Sequence, residues 1–188
     1  MRPTKRDELV GKALKAFYAN GFHATGMDRL VEETGISKTS MYKHFRSKED
    51  LILAALQRRD AEFRDWLYRR MATLGKTPRE QLLAMFDALG EWFEDPGFRG
   101  CMFVKAASEY QDPGHPIHAQ CAAHKAQLFD HLRTLAEAAG AGDPDLLARQ
   151  LLLLKEGAIV AAQVEGNHQA ATSAKSAATT LLDSAAAH

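Results

Sequence analysis

The feature that most constrains the fold is a pair of short helical patterns near the N-terminus, separated by a three-residue turn. The patterns cover about 27–34 and 38–45, and Gly35-Ile36-Ser37 lies between them. Glycine readily ends a helix, and serine is a favoured first cap of the next one. Ile36 is expected to anchor the turn by an apolar contact. Two short helices joined so tightly must pack at a steep angle around a small shared core.

The remainder of the chain also shows apolar residues at helical spacing, interrupted by glycine, proline and asparagine. Alanine and leucine dominate, valine and isoleucine are scarce, and no alternation typical of strands occurs. Thr25 and Asp28 suggest a capping box for the second helix. The sequence therefore predicts an all-α protein of about nine helices, over residues 4–20, 27–34, 38–45, 48–71, 78–94, 101–110, 116–139, 144–165 and 169–186.

Charge is distributed unevenly along this chain, although its formal net charge is zero. Residues 1–48 carry a formal charge of +5, and the remainder carries −5. A basic N-terminal segment followed by an acidic remainder indicates that the N-terminal segment binds an anionic partner, such as a DNA backbone. We therefore predict two domains, a DNA-binding domain over 1–48 and a helical domain over 49–188.

Several other classes of protein are disfavoured by the sequence. The basic N-terminus has no apolar segment behind it, as a signal peptide would, and no stretch reaches the apolar length of a membrane span. The two cysteines, Cys101 and Cys121, do not form a disulfide or zinc-ribbon pattern. No nucleophile elbow, phosphate loop or paired-acid site is present. We expect a cytoplasmic protein that is not an enzyme, has no cofactor and does not bind membranes.

The third helical pattern offers an outward face suited to nucleic acid. Apolar positions such as Met41 and Phe45 would face inward, which leaves small polar, hydroxyl-bearing and cationic side chains on the outside. Such groups donate hydrogen bonds to phosphates and to base edges in the major groove. The outward residues are Lys38, Thr39, Ser40, Tyr42, Lys43 and His44. Three helices with this arrangement are typical of a helix-turn-helix DNA-binding domain.

The segments 35–45 and 47–51 resemble the signature of the tetracycline-repressor (TetR) family of transcriptional regulators. Phe17, Gly21, Thr25 and Ile36 also stand where that family expects them. The resemblance covers roughly 5–55. It implies phosphate contacts from Thr25, Tyr42, His44 and Lys48. It also implies that Lys38, Thr39, Ser40 and Lys43 face bases or nearby phosphates, with a basic arm of Arg2, Lys5 and Arg6 adding backbone contacts.

The same resemblance implies a homodimer built from the last two helices. Both helices are rich in small and apolar residues, which allow close approach between subunits, although a buried helix pair within one subunit would show the same pattern. A dimer would place two recognition helices about 34–36 Å apart, or at a small multiple of that distance. The expected partner is thus a palindromic double-stranded DNA operator.

The middle of the chain is the expected effector-binding region, and its aromatic residues point to a small apolar or aromatic molecule that releases the repressor from DNA. Each candidate is alternatively an ordinary core residue. The candidate ligand-binding residues are Trp66, Phe86, Trp92, Phe93, Phe103, Tyr110, Cys121 and His124.

Two other kinds of regulator remain open at this point. Cys101 and Cys121 would serve a thiol-redox sensor. The spacing of His115, His118, Cys121 and His124 would serve a metal sensor, but His118 and His124 point about 120° apart on a regular helix, so all four cannot share one ion. An activator rather than a repressor is also compatible with the sequence.

Overall fold

The computed structural model describes residues 4–185, and this range contains nine α-helices and no β-strand. The helices are α1 Lys5–Asn20, α2 Met27–Thr34, α3 Lys38–Tyr42, α4 Lys48–Leu74, α5 Pro78–Phe93, α6 Met102–Glu109, α7 Pro116–Ala138, α8 Pro144–Glu165 and α9 Ala170–Ser184. The prediction of an all-α protein is confirmed, and most predicted bounds lie within one to three residues of the observed ones.

Several helix starts follow directly from local sequence. Thr4 and Asp7 form a capping box on α1, and Thr77 and Glu80 form another on α5. Each box satisfies two backbone N–H groups that a helix start leaves without partners. Asp143 accepts from the backbone N–H of Leu146 at 2.9 Å and so caps α8. These local hydrogen bonds explain why the sequence alone located these starts.

Two local predictions were wrong. Gly26 rather than Thr25 is the N-cap of α2, and no side chain caps this helix. The Thr25 hydroxyl instead donates to the backbone carbonyl of Gly21 at 2.6 Å, because the Thr25 side chain is turned into the core. The third helix ends at Tyr42, short of the predicted Phe45, and the chain continues as a turn through Lys43.

The first compact unit contains residues up to 62 together with 102–124. Its core is formed by large apolar side chains that are almost fully buried: Phe17, Phe22, Leu30, Met41, Leu51, Ile52 and Leu56. Phe22 follows the end of α1 and stacks on Phe17, with ring centroids 5.5 Å apart. The unit therefore groups α6 and the first half of α7 with the N-terminal helices, whereas the sequence suggested a domain boundary after residue 48.

The second compact unit contains residues 63–101 and, of the described residues, 125–185. Helices α5, α8 and α9 pack on one another in this unit. Small residues line these contacts, as where Gly90 on α5 faces Ala171 on α9, and they let the helices approach closely. Within 4–185, no helix combines the length and apolar character that a membrane crossing requires.

Candidate nucleic-acid interface

The turn between α2 and α3 has the geometry that the sequence predicted. Gly35 ends α2 in the left-handed conformation, with φ of 67°, and its N–H donates to the carbonyl of Val31 at 2.9 Å. A residue with a Cβ is disfavoured in this conformation. The Ser37 hydroxyl then accepts from the Ser40 N–H at 3.2 Å and starts α3. This turn directs Met41 into the core, so the opposite face of α3 stays in solvent.

Six of the predicted DNA-binding residues lie on that outward face or in the turn that directly follows α3. The side chains of Lys38, Thr39, Tyr42, Lys43 and His44 are exposed, and Ser40 is half-buried. The Tyr42 side chain is 53% exposed although it is large and aromatic. Its exposure has no packing explanation and suits contact with a partner. The Lys38 ammonium forms an exposed ion pair with Asp28 at 2.6 Å, which a phosphate would have to displace.

The remaining two predicted residues, Thr25 and Lys48, bind the loop between α1 and α2. Thr25 is fully buried. The Lys48 ammonium donates to the carbonyls of Phe22 at 2.9 Å and Thr25 at 3.5 Å. These bonds fix the loop that precedes α2. Phosphate contacts from these two side chains stay a prediction, since both are occupied by backbone carbonyls in this structure.

Sequence reasoning missed Glu109, which holds the same loop from its other side. Its carboxylate accepts from the backbone N–H groups of Phe22 at 3.0 Å and His23 at 2.5 Å. It also lies 3.0 Å from Nδ1 of His23. The loop thus has its carbonyls bound by Lys48 and its N–H groups bound by Glu109. No local pattern signals this role, because Glu109 is more than 80 residues away in sequence.

A second missed residue is Arg46, which extends the basic surface. Arg46 is exposed and lines a surface groove of about 380 Å³ together with Arg6 and His44. The Arg6 guanidinium lies over the ring of Phe45, 4.9 Å from its centroid, which fixes this part of the basic arm. Lys5 is exposed, and Arg2 lies outside the described residues. The groove therefore adds cations beside the exposed face of α3.

The candidate ligand-binding residues fall into different units. Trp66, Phe86, Trp92 and Phe93 belong to the second unit. Trp66 and Trp92 meet edge to face, with centroids 6.3 Å apart, and Phe93 packs beside Trp92 at 6.1 Å. Both tryptophans are partly exposed, whereas Phe86 is buried. This contact between aromatic rings is compatible with either a core cluster or a pocket wall.

The other four candidates, Phe103, Tyr110, Cys121 and His124, belong to the first unit. His124 is 1% exposed, and its Nδ1 lies 2.7 Å from a carboxylate oxygen of Asp60. The Phe103 ring stacks on the His124 ring with centroids 3.7 Å apart. Cys121 is buried. His124 thus has the partners of a satisfied core histidine, and a ligand contact from it stays a prediction.

A partly buried ionic cluster in the second unit, formed by Lys125, Lys155 and Glu156, was not expected from the sequence. The Glu156 carboxylate binds the ammonium of Lys125 at 2.7 Å and that of Lys155 at 2.9 Å. Burial by itself would raise the pKa of Glu156, but the two ammonium groups outweigh it and lower that pKa to about 2. Burial lowers the pKa of Lys155, which is 1% exposed.

Metal-binding geometry is not found among residues 4–185: no three His, Cys, Asp or Glu side chains there are placed to hold one ion. His118 Nδ1 lies 2.8 Å from the Tyr110 carbonyl, and His124 is bound to Asp60. These contacts direct the two histidines to different partners.

Helix α8 carries a stripe of exposed apolar side chains that sequence reasoning did not single out. Leu146, Leu153, Val160 and Val164 are 51%, 72%, 49% and 75% exposed. Their spacing keeps them on one side of the helix. The opposite side of α8 is buried within the unit. A helix that is apolar on both sides, with one side uncovered, is typical of a subunit interface.

Comparison with known proteins agrees with both parts of this description. Residues 9–55 match the family described as "Bacterial regulatory proteins, tetR family". Residues 78–178 match the "Tetracyclin repressor-like, C-terminal domain" family. These two matches cover the helix-turn-helix and most of the helical region that follows.

Individual relatives are also transcriptional regulators. The regulator YjdC of Escherichia coli is 28% identical over 155 residues, which span 82% of this chain and 81% of YjdC. The repressor KstR2 of Mycolicibacterium smegmatis is 33% identical over 94 residues, or 48% of this chain and 44% of KstR2. The crystal structure of SCO4454, a TetR-family transcriptional regulator from Streptomyces coelicolor, superposes with a TM-score of 0.89 at 31% identity. That superposition covers 97% of this chain and 90% of the other.

The same family is indicated by four observations: the exposed face of α3, the Gly35 turn, the two family matches and the full-length structural likeness. The relatives are regulators and not enzymes. The chain belongs to the TetR family of transcriptional regulators.

Proposed function

We propose that this chain is a homodimeric repressor that binds a palindromic operator and is released by a small organic effector. The observation that carries the proposal is the outward face of α3, where five predicted DNA-binding side chains, the exposed tyrosine among them, stand in solvent. The α1–α2 loop that supports α2 is fixed from both sides by Lys48 and Glu109. A rigidly held face of this composition is suited to phosphate and base contacts. Such a regulator acts on chromosomal DNA, so we propose a cytoplasmic location.

Binding to the DNA upstream of the chain's own gene is the direct test, measured by gel shift at several salt concentrations. Lys43→Ala removes a cation from the exposed face of α3. We expect weaker operator binding, and a salt slope reduced by about 1 if Lys43 contacts a phosphate. Lys76→Ala is the matched control, because Lys76 is an equally exposed lysine in the second unit. Equal effects of the two substitutions, or no binding by the wild type, would contradict the proposed DNA interface.

The homodimer rests on the α8 stripe of Leu146, Leu153, Val160 and Val164. Leaving this much apolar surface in water is unfavourable, and a second copy of the stripe provides a matching face around a two-fold axis. Leu153→Glu places a charge in that face, and we expect monomers in analytical ultracentrifugation together with a loss of operator binding. Leu74→Glu is the control, since Leu74 is 42% exposed at the end of α4, away from the stripe in sequence. Persistence of a Leu153→Glu dimer would count against this interface.

Release from DNA requires an effector whose affinity differs between two states of the dimer. Helix α4 contributes residues to both compact units, so a displacement of α4 is a direct way to couple an effector to α3. The partly exposed Trp66 and Trp92 supply aromatic contacts for an apolar or aromatic molecule. Titration of small organic molecules into the operator complex tests this proposal. An effector is expected to abolish the gel shift without dissociating the dimer.

A thiol-responsive regulator is the second candidate, and one contact favours it. The Lys125 ammonium lies 3.5 Å from the Cys101 sulfur. Reactive cysteines are commonly found beside cations. On this alternative, mild oxidation would release the operator, and Cys101→Ser would abolish the response while Cys121→Ser would not. An unchanged gel shift after oxidation, with both thiols still free by mass spectrometry, would exclude it.

A further inference from the structure

The cluster of Lys125, Lys155 and Glu156 has an unbalanced charge. Two ammonium groups share one carboxylate, and among residues 4–185 these side chains make one further polar contact, that of Lys125 with Cys101. Lys155 is almost completely buried, with its ammonium 5.7 Å from the centroid of the Phe63 ring. Burying a charge without a full complement of opposite charge is unfavourable. The cluster is therefore a place where one additional negative charge would be stabilising.

A groove opens beside this cluster. Its volume is about 600 Å³, in the range of small-molecule sites. Two of its lining residues, Lys125 and Glu156, belong to the cluster, so the groove and the unbalanced charge share one wall. The other lining residues are Ala126, Phe129, Arg149, Leu152 and Leu153. Most of the lining is apolar, and its charged side chains are those of Lys125, Arg149 and Glu156.

Arg149 adds a second cation to the groove. Its guanidinium lies over the Phe129 ring, 4.8 Å from the centroid. Among residues 4–185, no carboxylate lies within ion-pair distance of Arg149. Stacking on an aromatic ring leaves the N–H groups at the edge of a guanidinium free to donate, and their fork matches a carboxylate. The groove thus presents Arg149 and Lys125 as donors, with only Glu156 to oppose their charge.

We infer that this groove binds a small organic carboxylate with an apolar body. The carboxylate lies between Arg149 and Lys125 and supplies the negative charge that the cluster lacks. The apolar body packs on Phe129, Leu152 and Leu153. This inference rests on the proposed function, for which it names the chemical class of the effector, and it differs from a purely apolar or aromatic effector in requiring the anionic group.

A second copy of the chain is the other occupant that the surface admits, because Leu153 belongs both to the groove and to the α8 stripe. Charge favours the carboxylate. A two-fold interface would bring the same excess of positive charge from both subunits together, and like charges at an interface are unfavourable. Leu153 therefore places the ligand next to the proposed subunit contact.

The test is isothermal titration calorimetry on the full chain without DNA, with two matched pairs of probes. Octanoate is compared with octanamide, and phenylacetate with phenylacetamide, because each pair differs mainly in the negative charge. We expect at least one carboxylate to bind with a Kd of about 1 mM or tighter, and its amide to bind about ten- to a hundredfold more weakly. Absence of binding by both carboxylates, or equal affinity of acid and amide, would overturn the inference.

Two variants with opposite expected effects separate a ligand role from a structural one. Arg149→Gln, at an exposed position, should weaken carboxylate binding about tenfold or more. Glu156→Gln removes the opposing charge and should tighten binding, even if the free protein becomes less stable. Arg79→Gln is the control, because Arg79 is exposed and paired with Asp183 on another part of the second unit. If Arg149→Gln and Arg79→Gln weaken binding equally, the assigned contact is wrong.

Ultracentrifugation of Arg149→Gln and gel shifts with the probes complete the test. Loss of the dimer in Arg149→Gln would assign the groove to a second copy and overturn the inference. Carboxylate binding that leaves the operator complex intact would refute release by this ligand class while the binding site stands. If the protein binds its operator normally but binds neither carboxylate, the proposed ligand site is refuted and the DNA-binding function stands.

Discussion

Each compact unit contains a group of ionisable side chains in contact, and the two groups differ in how their members are paired. In the first unit, His124 and Asp60 form a pair whose two members are both nearly inaccessible to solvent. In the second unit, Lys125 and Lys155 share the single carboxylate of Glu156, and two of these three side chains remain about one quarter exposed. In the first group each side chain has its partner and neither is reached by solvent. In the second group two cations share one carboxylate, and the group lies beside a groove.

The difference separates a structural hydrogen-bonded pair from a candidate binding site. A buried imidazole and carboxylate that hydrogen-bond each other gain little from a further ligand, and removing the imidazole leaves the buried carboxylate without that partner. A cluster with one surplus cation gains from an added anion. The sequence indicated His124 as a candidate ligand-binding residue, but the structure gives it a carboxylate and the Phe103 ring as partners. The surplus charge lies instead at Lys155.

The largest expected effect is that of breaking the matched pair. His124→Ala leaves the Asp60 carboxylate without its imidazole partner and also removes the ring on which Phe103 stacks. We expect the free energy of unfolding to fall by about 3–5 kcal/mol, measured by urea denaturation. The control is His168→Ala, because His168 forms an exposed pair with Glu94 at 3.2 Å and should contribute little. If both substitutions lowered the free energy of unfolding by similar amounts, burial of the His124–Asp60 pair would not increase its contribution to stability.

Removing the surplus cation, Lys155, should instead raise the free energy of unfolding. Lys155→Met keeps a similar volume while it removes the buried charge, and we expect the free energy of unfolding to rise by about 1 kcal/mol or more at neutral pH. Lys175→Met, which removes a partly exposed partner of Asp87, is the control and should lower stability slightly. A clear loss of stability in Lys155→Met would show that the ammonium is fully compensated in the free protein.

The pH dependence of this difference gives a sharper measurement. Because burial lowers the pKa of Lys155 in the folded chain, the folded protein binds fewer protons than the unfolded chain between that lowered pKa and 10.5. Stability of the wild type, relative to Lys155→Met, must therefore rise with pH across this window. The advantage of Lys155→Met should shrink as the pH approaches 10.5, the ordinary lysine value. A difference that does not change with pH would contradict a lowered pKa at Lys155.

A smaller change in stability is expected at Tyr110, whose buried polar group is a neutral hydroxyl. Within residues 4–185, its hydroxyl has no hydrogen-bond partner, while its ring stacks on His23 with centroids 4.8 Å apart. Tyr110→Phe keeps the ring and removes the unsatisfied hydroxyl, so we expect a gain of up to about 1 kcal/mol in the free energy of unfolding. Tyr42→Phe is the exposed control and should leave stability unchanged. A loss in Tyr110→Phe would indicate a hydrogen bond in solution.

Ultraviolet titration of the tyrosines tests the same site independently. Burial is the main cause that raises the pKa of Tyr110 to about 12, and the nearby carboxylates of Glu49 and Glu109 raise it further. Tyr110 should therefore lose its proton well above the ordinary value of 10.0. Tyr110→Phe should remove that late step, and a late step that persists in this variant would contradict the assignment to Tyr110.

Features set by neighbours in sequence were predictable from it. Helix periodicity, the Gly35 turn, the Ser37 cap and the outward face of α3 all depend on residues within a few positions of each other, and local geometry determines them. The resemblance to TetR regulators depends on the same short segments. The predicted Thr25 cap failed because a tertiary demand, burial of the Thr25 side chain, outweighed a local preference.

Features that depend on distant residues were decided only by the tertiary structure. Glu109 binds the α1–α2 loop across 86 and 87 residues, and Asp60 meets His124 across 64. The excess charge at Lys155 and the exposed stripe on α8 are likewise invisible in a linear pattern, since a lysine or a leucine in a helix has the same local preference whether it is covered or not. Sequence alone thus determined that this chain is an all-α regulator of the TetR type with a polar outward face on α3. Which charges are matched, and which surfaces are left for a ligand or a second subunit, followed from packing.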